Sequence, residues 1–415
     1  VIHQHFKLVD VMTALENIIL GLPKKSRKSK KAHEKAVSEL CDRYGLHVDL
    51  HKKVYNMSVG EKQTVEILKV LYRGARILIL DEPTAVLTPQ EIDRLFDILR
   101  KMRDGGKAII IITHKLNEVM AVSDRVTVLR KGETAGTVET ASTTASQLAA
   151  FMVGREINLD IERVEPKNLS ERLNVVNLTC VTEDGRKALD NVSFTLNGGE
   201  ILGVAGVAGS GQKELCEAIA GLYPVKGGAI LYKNVVDGIE ISENIVGKTP
   251  REIFQKGIAM AFIPEDRLGM GLVARMDIAE NMMLKSYNDT KSLFVDRKKP
   301  TEMAKTLIER LDIAAPGVNT QVSRLSGGNV QKVLLGREIS SDPTILISAY
   351  PVRGLDIHSS YTIYRLLNEQ KQKGVAVLFI GEDLDVLLAL CDRIMVLCGG
   401  KCVGIVDAKT AKKEE

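Results

Sequence analysis

Residues 56–85 read NMSVGEKQTVEILKVLYRGARILILDEPTA. Residues 58–61 (SVGE) predict a turn that opens an amphipathic helix, and residues 73–75 (RGA) end that helix. Residues 77–80 (ILIL) then predict a buried strand, which runs into the adjacent acids Asp81 and Glu82. Such a strand places charge at the carboxyl edge of a parallel sheet, where doubly wound α/β folds bind ligands. One carboxylate there can hold Mg²⁺, and the next can orient or polarise a water molecule.

A plainer interpretation of the same residues exists. Ser58 and Glu61 have the spacing of a helix capping box, and many strands end in an acid. Neither piece indicates catalysis when it is taken alone. The functional interpretation gains its weight because the chain repeats the whole stretch.

The repeat begins at Ser326, whose segment SGGNVQKVLLGREISSDPTILISAYP aligns with residues 58–83. Asp81 lies 23 positions after Ser58, and Ala349 lies 23 positions after Ser326. The next intervals also agree between the two copies: 33 positions to His114 or Glu382, and 10 more to Asp124 or Asp392. Equal spacings without a gap predict two copies of one α/β unit.

Bulk composition narrows the class of protein. A chain of 415 residues is too long for one core, and a net charge of +4 indicates little about partners. The six cysteines show no CxxC pair, which favours a reducing compartment over a disulfide framework. No apolar run approaches membrane-spanning length, so any membrane association must come through a partner.

We predict a first domain over residues 1–153, a linker over 154–172, a second domain over 173–408 and a tail over 409–415. The first domain should contain a second apolar strand over 108–112, which delivers His114 to the same sheet edge as Asp81 and Glu82. The basic run at 23–35 is interpreted as a solvated loop leading into a helix, with a patch that binds nucleic acid or anionic lipid as the alternative.

The second copy contains a glycine loop, which follows a predicted strand over 200–205 and precedes a predicted helix. Backbone N–H groups of such a loop, together with the N-terminus of the helix, face an anion, so the segment predicts a phosphate cradle. Its residues are Gly206, Gly209, Gly211, Gln212 and Lys213.

These motifs together resemble the tandem ATP-binding subunits of ABC importers, in the branch that takes up simple sugars and nucleosides. The resemblance covers nearly the whole chain. It is carried by the two signature loops at Ser58 and Ser326, by the Asp81-Glu82-Pro83-Thr84 strand end, and by His114. It is also carried by Gln4, by residues 264–267 (PEDR) and by residues 353–356 (RGLD). The implied fold is α/β: two P-loop NTPase (ABC ATPase) domains in tandem, each a mostly parallel sheet with a helical subdomain.

In that family two units close head to tail over two ATP molecules, with Mg²⁺ as the cofactor. The resemblance implies that Asp81 holds Mg²⁺ with Gln4, that Glu82 polarises the attacking water, and that His114 contacts the γ-phosphate. The signature residues Ser326, Gly327, Gly328 and Asn329 of the other unit would complete this ATP site.

The second site, by the same resemblance, is degenerate. Its glycine loop has Gln212 and Lys213 where a lysine and a hydroxyl residue are expected, and Lys213 reaching back to a phosphate is the alternative. The acids are replaced by Ala349 and Tyr350, the histidine by Glu382 and the glutamine by Glu265. Its partner signature has Ser58 and Gly60, with Val59 between them in place of a glycine. We therefore predict weak or no nucleotide binding there, and a structural role.

The copy that holds the acids begins near its Gln4 motif, and the chain begins with Val1 rather than Met. By comparison with the second copy, the first is expected to lack its N-terminal part, with the glycine loop and the strands that precede it. This chain is therefore expected to hydrolyse ATP poorly, although its longer parent would be an ATPase. A strand missing beside residues 77–80 should also leave an open edge and exposed apolar surface. The second domain should be the better-formed half.

The expected partners are two transmembrane permease subunits and a substrate-binding protein, at the cytoplasmic face of the membrane, and no nucleic acid. Two rival interpretations remain at this stage. One is a soluble ABC protein that acts on ribosomes or nucleic acid, which the short linker and modest charge disfavour. The other is a non-catalytic remnant that at most binds nucleotide. The transported substrate is not readable from these residues.

Overall fold

The structure is a computed structural model that describes residues 1–3, 6–23, 29–84, 87, 89–130, 132–154, 160–167, 169–207, 209–236, 239–285, 287 and 295–412. The chain forms two compact units, Val1–Asn158 and Leu159–Glu415. The boundary between them falls inside the segment expected to be a linker.

Unit one contains residues 56–85, which include the adjacent acids Asp81 and Glu82. Its elements are, in chain order, α1 (Ala14–Ile19), α2 (Lys30–Tyr44), α3 (Val59–Tyr72), β1 (Ile77–Asp81), α4 (Pro89–Asp104), β2 (Ala108–Ile112), α5 (Leu116–Val122), β3 (Arg125–Arg130), β4 (Glu133–Glu139) and α6 (Ala145–Val153).

Unit two repeats this order after an additional set of strands. Its elements are β5 (Ser170–Val181), β6 (Lys187–Gly198), β7 (Ile201–Ala205), α7 (Gln212–Ile219), β8 (Val225–Val236), β9 (Ile239–Asn244), α8 (Pro250–Gln255), β10 (Met260–Ile263), α9 (Ile278–Met283), α10 (Lys298–Arg310), α11 (Gly327–Ile339), β11 (Ile345–Ala349), α12 (Ile357–Gln372), β12 (Ala376–Ile380), α13 (Leu384–Leu390), β13 (Arg393–Cys398) and β14 (Lys401–Asp407).

The main sheet of unit two has the strand order β10-β11-β12-β7-β13-β14. All of its pairings are parallel except that between β13 and β14. A separate antiparallel sheet has the order β6-β5-β8-β9. Apolar clusters cover both faces of the main sheet, so its central strands are entirely buried. This is the pattern expected of a parallel sheet that is covered on both sides.

Unit one has the corresponding strands in the corresponding register. β1 pairs in parallel with β2, as β11 pairs with β12, and β3 and β4 form the hairpin that β13 and β14 form in unit two. Both hairpins carry an irregularity at the equivalent point, between Val128 and Leu129 and between Val396 and Leu397. The duplication predicted from spacing is therefore present in the backbone.

The exposure of β1 and β2 corrects one expectation. The strand over residues 77–80 was predicted to be buried, but Ile77 is 59% exposed, and Ile110 and Ile112 of the neighbouring β2 are 50% and 52% exposed. Their equivalents in unit two, Ile345, Leu378 and Ile380, are 0% exposed. Those residues pack in the cluster that β5, β6 and α7 complete, and the described residues of unit one include no such layer. The exposed apolar surface expected for unit one is present.

The predicted position in unit one of the strand that precedes the glycine loop also needs correction. It was expected beside residues 77–80, which form β1. In unit two the strand in question is β7, and it pairs with β12 and β13. The place equivalent to β7 in unit one is therefore beside β2 (Ala108–Ile112). The other side of β1 is already taken, because Ile2 pairs with Leu80 there.

The part of the expected linker that belongs to unit two contacts the rest of that unit. Arg163 Nε donates to the Ala389 carbonyl at 3.3 Å, Asn368 Nδ2 donates to the Glu162 carbonyl at 2.6 Å, and Lys409 Nζ lies 2.7 Å from Glu165. The periodicity is irregular here because the chain follows the surface of unit two by polar contacts. Among the described residues, no helix is both long and apolar enough to cross a membrane.

Candidate functional site

The candidate site of unit one lies where β1 and β2 end. The two strands are in parallel register, with Asp81 opposite Ile112. Glu82 follows β1 directly, and His114 lies two residues beyond β2. His114 Nδ1 is 2.9 Å from Glu82 Oε1, and both side chains are partly exposed. Because a carboxylate only accepts hydrogen bonds, this contact is satisfied when Nδ1 carries the proton. Two of the predicted catalytic side chains are thus in direct contact.

The backbone of Glu82 is in the left-handed region, with φ of +44°. Its N–H donates to the Ile112 carbonyl at 2.9 Å, which ties the turn after β1 to the end of β2. Non-glycine residues adopt this conformation where the surrounding structure imposes it. Tyr350 is equivalent, with φ of +49° and a 3.0 Å bond to the Ile380 carbonyl. The turn is therefore a property of both copies, and only the side chain on it differs.

Asp81, the other predicted acid, is the last residue of β1. Its backbone N–H donates to the Ile2 carbonyl at 3.0 Å. Gln4, the predicted second metal residue, lies outside the described residues. In the described part of the chain no three side chains are grouped as a metal site. Mg²⁺ is usually held by one or two carboxylates together with phosphate and water oxygens, so the acid pair fits Mg²⁺ bound with ATP.

The two signature helices differ at their N-termini. Ser58 accepts from the Glu61 N–H, and the Glu61 carboxylate accepts from the Ser58 N–H, which completes a capping box. Lys52 contacts the Glu61 carboxylate at 2.8 Å, and this hydrogen bond is the main cause that lowers the pKa of Glu61. Glu61 therefore stays negative beside the helix end, and Gly60 lies against Glu91. This arrangement disfavours a phosphate at α3.

At α11 the cap residue is Ser326, whose side chain bonds no backbone N–H of the helix. Its hydroxyl instead accepts from Asn329 Nδ2 at 2.8 Å. Gly327 and Gly328 open the helix, and a Cβ on Gly328 would lie 2.5 Å from Ser359 Oγ. The first turn of α11 thus presents backbone N–H groups without an acidic side chain among them, which is what an anion requires.

The predicted phosphate cradle of unit two has the expected order of strand, loop and helix. Gly206 follows β7, and a Cβ there would lie 2.4 Å from the Leu397 carbonyl. Gly209 and Gly211 have φ of +84° and +102°, a conformation that favours glycine. Gly211 precedes α7, which begins at Gln212. The backbone therefore has the form of a cradle.

The side chains in this cradle do not have the expected chemistry. Gln212 is 3% exposed, and its Nε2 donates to the Val207 carbonyl at 3.1 Å, within the loop itself. Lys213 Nζ points to Glu217 at 3.8 Å, and the Lys213 side chain is 64% exposed. Burial, opposed in part by Lys213, raises the pKa of Glu217. Lys213, the cation that follows the glycine loop, is therefore paired with Glu217 of α7.

The strand ends of unit two are joined by one guanidinium. Arg353 contacts the Glu265 carboxylate, and its Nε lies 3.1 Å from Glu382 Oε1. Its guanidinium also lies 5.8 Å from the Tyr350 ring centroid. Burial and the two carboxylates raise the pKa of Tyr350 to about 12, so the phenol stays protonated at neutral pH. These positions correspond to Gln4, Glu82 and His114, and in unit two they are engaged with one another.

The bridging role of Arg353 was not predicted from the sequence. The signal available was the replacement of the glutamine and the histidine by two acids, Glu265 and Glu382. Two carboxylates at one sheet edge repel each other and require a cation. Which cation supplies the charge depends on the path of residues 350–355, and spacing alone did not give that path.

The ABC transporter family profile matches residues 1–85 and 189–349. The nucleoside import ATP-binding protein NupA of Lactococcus lactis is 41% identical over 419 residues, which cover 100% of this chain and 81% of that protein. The guanosine import ATP-binding protein NupO of Bacillus subtilis is also 41% identical, over 100% of this chain and 80% of that protein. The glucose import ATP-binding protein TsgD13 of Haloferax volcanii is 38% identical, with the same coverage of 100% and 80%.

Proposed function

Because this chain belongs to the ABC transporter family of ATP-binding proteins, we propose that it is the subunit that energises import of a nucleoside or a simple sugar. The single observation that supports this most is the contact between Glu82 and His114 at the shared edge of β1 and β2. This contact supports ATP hydrolysis, and the names of the relatives support import rather than action on ribosomes or nucleic acid.

In unit one, the Glu82 carboxylate accepts a hydrogen bond from the attacking water and polarises it. His114 is held by Glu82 through Nδ1, which leaves Nε2 as the ring atom that meets the γ-phosphate. Asp81 and Gln4 bind the metal side of the nucleotide. Mg²⁺, when bound with ATP, neutralises charge that develops on the transferred phosphoryl group.

We propose that the signature residues Ser326, Gly327, Gly328 and Asn329 bind the γ-phosphate of an ATP that is hydrolysed. The support is electrostatic: the first turn of α11 carries no acid, whereas α3 carries Glu61. Unit two then has a structural role, because its Glu265 and Glu382 carboxylates are paired with Arg353 and Tyr350 cannot act as a base at neutral pH.

Changing Gly327 to Asp tests the role of the signature. An acid in the first turn of a helix stabilises the helix, so the variant should fold, but its charge opposes the γ-phosphate. We expect ATP turnover to fall at least about tenfold in the assembled importer, prepared with a longer form of this chain that adds a glycine loop to unit one. The matched control is Val59→Asp, at the equivalent position of α3, where we expect a change below about threefold. Equal losses in the two variants would contradict the assignment of Ser326–Asn329 to the hydrolytic site.

The polypeptide of these 415 residues contains one glycine loop of this kind, that of unit two. We propose that this polypeptide alone turns ATP over slowly, because the sequence of residues 1–158 contains no glycine loop like that at 206–213. Fast turnover that Glu82→Gln removes would contradict slow hydrolysis while supporting the role of Glu82.

The proposed partners are two membrane-spanning permease subunits and a substrate-binding protein, with the chain bound to the cytoplasmic side of the permeases. The names of the relatives support an importer, and the described residues include no membrane-crossing helix. Copurification of this chain with membranes only when the permeases are coexpressed is the expected result. Membrane binding without them would contradict the proposal.

A further inference from the structure

A buried hydrogen bond lies behind the acids of unit one. Thr84 Oγ1 donates to Glu118 Oε2 at 2.7 Å, and the two residues are 2% and 9% exposed. Thr113 Oγ1 is 3.4 Å from the same oxygen, and Lys115 Nζ is 3.1 Å from the other oxygen, Oε1. One carboxylate therefore receives donors from the segment after β1 and from the segment after β2.

The residues that donate to Glu118 lie beside the predicted catalytic residues in the chain. Thr84 lies two residues after Glu82, while Thr113 and Lys115 flank His114. Lys115 Nζ also approaches the Thr84 carbonyl at 3.5 Å. A buried carboxylate is costly unless donors surround it, so breaking one of these bonds leaves charge poorly compensated. Glu118 thereby fixes the distance between the two segments that carry Glu82 and His114.

Unit two provides an internal comparison. The residues equivalent to Thr84 and Glu118 are Val352 and Val386, both partly buried against the apolar core. Valine side chains make no hydrogen bond, yet the turn keeps its form, with Tyr350 bonded to the Ile380 carbonyl at 3.0 Å. The fold of the strand ends therefore does not require the polar pair. The pair occurs in the copy that has the acids, and apolar side chains replace it in the copy that lacks them.

We infer that Glu118 is a positioning residue, which acts through Thr84 and Thr113 to hold His114 against Glu82. This inference rests on the proposed function for its consequence, ATP hydrolysis, but its geometric part stands independently. The exposed Lys115 contributes charge, and the buried Thr84 bond sets the spacing. Loss of the bond should let the segment after β2 move relative to β1 and so separate the two reacting side chains.

The test observes His114 directly in the 415-residue protein. With ¹⁵N-labelled histidine, the imidazole nitrogens of the seven histidines are resolved by NMR, and His114→Gln assigns the signal of interest. Glu82→Gln defines the signal of an altered contact. The double variant Thr84→Val, Glu118→Val installs the pair found in unit two and should fold. We expect the His114 signal of this double variant to differ from that of the wild type. The single variant Thr84→Ser keeps the hydroxyl, so its His114 signal should match that of the wild type.

A matched control removes a hydrogen bond elsewhere in unit one. Ser123 Oγ and Thr140 Oγ1 are 2.9 Å apart, and the double variant Ser123→Ala, Thr140→Val should leave the His114 signal unchanged. An unshifted His114 signal in the Val–Val variant overturns the inference. Should that variant fail to fold, Thr84→Val alone decides the question by the same signal, with Thr84→Ser as its rescue.

Turnover in the assembled importer separates positioning from function. We expect the Val–Val variant to lower kcat by about 10- to 100-fold, with KM for ATP within about threefold, because a small misplacement of a catalytic group affects the transition state more than binding. A shifted His114 signal with unchanged kcat would overturn the catalytic part of the inference. If Glu82→Gln also left kcat unchanged, the proposed function would fail while the positioning contact remained.

Discussion

Replacing Glu82 with Gln should lower ATP turnover in the assembled importer at least about 100-fold, while the Kd for ATP changes by less than about threefold. A neutral amide cannot polarise water as a carboxylate does, and loss of a base in this role costs about 10²- to 10⁴-fold. The amide keeps the size of the side chain, and its carbonyl oxygen still accepts from His114 Nδ1. The effect should therefore lie in kcat, measured by phosphate release beside nucleotide binding.

The matched control for this variant is Tyr350→Phe, at the equivalent turn of unit two. A phenol is protonated at neutral pH, and burial raises the pKa of Tyr350 further, to about 12, so loss of this hydroxyl should leave turnover within about threefold. If Glu82→Gln bound ATP much more weakly and hydrolysed it at the wild-type rate, the residue would be a binding group and not the catalytic base.

The second large predicted effect is on the free energy of unfolding. The repeat allows a buried residue of one copy to be compared with its exposed equivalent in the other. Leu378→Thr should lower the free energy of unfolding of unit two by about 2–4 kcal/mol, because it removes buried apolar volume and buries a hydroxyl. Ile110→Thr, at the equivalent position of β2, should cost less than about 1 kcal/mol. The cause is exposure, which is 0% for Leu378 and 50% for Ile110.

Urea unfolding followed by far-ultraviolet circular dichroism measures both variants, since the chain contains no tryptophan for fluorescence. The Ile110→Thr protein should also associate less, because it presents less apolar surface. A cost at Ile110 equal to that at Leu378 would mean that β2 is covered in solution, contrary to the exposure in the structure.

The order of elements and the duplication were predictable because they depend on local chemistry. Ser58 and Glu61 form the predicted capping box, and the helix they open ends at the predicted residues. Because Asp81 and Ala349 are separated by the same offset as the other equivalent residues, the pairing register of β11 with β12 corresponds to that of β1 with β2. The spacing also predicted that Glu82 and His114 lie at one sheet edge, because the carboxyl ends of parallel strands lie at the same edge of a sheet.

What could not be predicted depends on contacts between distant segments. Residues 108–112 are as apolar as residues 376–380, so only the presence or absence of a covering layer distinguishes an exposed β2 from a buried β12. The burial of Glu118 likewise follows from the packing of α5 against the strand ends. Charged residues at such helix positions usually face solvent, so the sequence does not distinguish Glu118 from a solvated glutamate.

The two units share a backbone and differ in what the side chains at their strand ends can do. In unit one the side chains after β1 and β2 are an acid and a base in contact, supported by Glu118. In unit two the same places hold Tyr350 and Glu382, and Arg353 pairs with Glu382 and with Glu265 beyond β10. This difference is the basis for our proposal that ATP is hydrolysed at the site of unit one and that the site of unit two has a structural role.

This asymmetry is tested most directly by ATP turnover of two single variants, His114→Ala and Glu382→Ala, in the same assembled importer. The residues occupy the equivalent position beyond β2 and β12. We expect His114→Ala to lose at least about tenfold in kcat, and Glu382→Ala to stay within about threefold of the unchanged protein. Comparable losses in both variants, or a loss confined to Glu382→Ala, would contradict the assignment of hydrolysis to unit one.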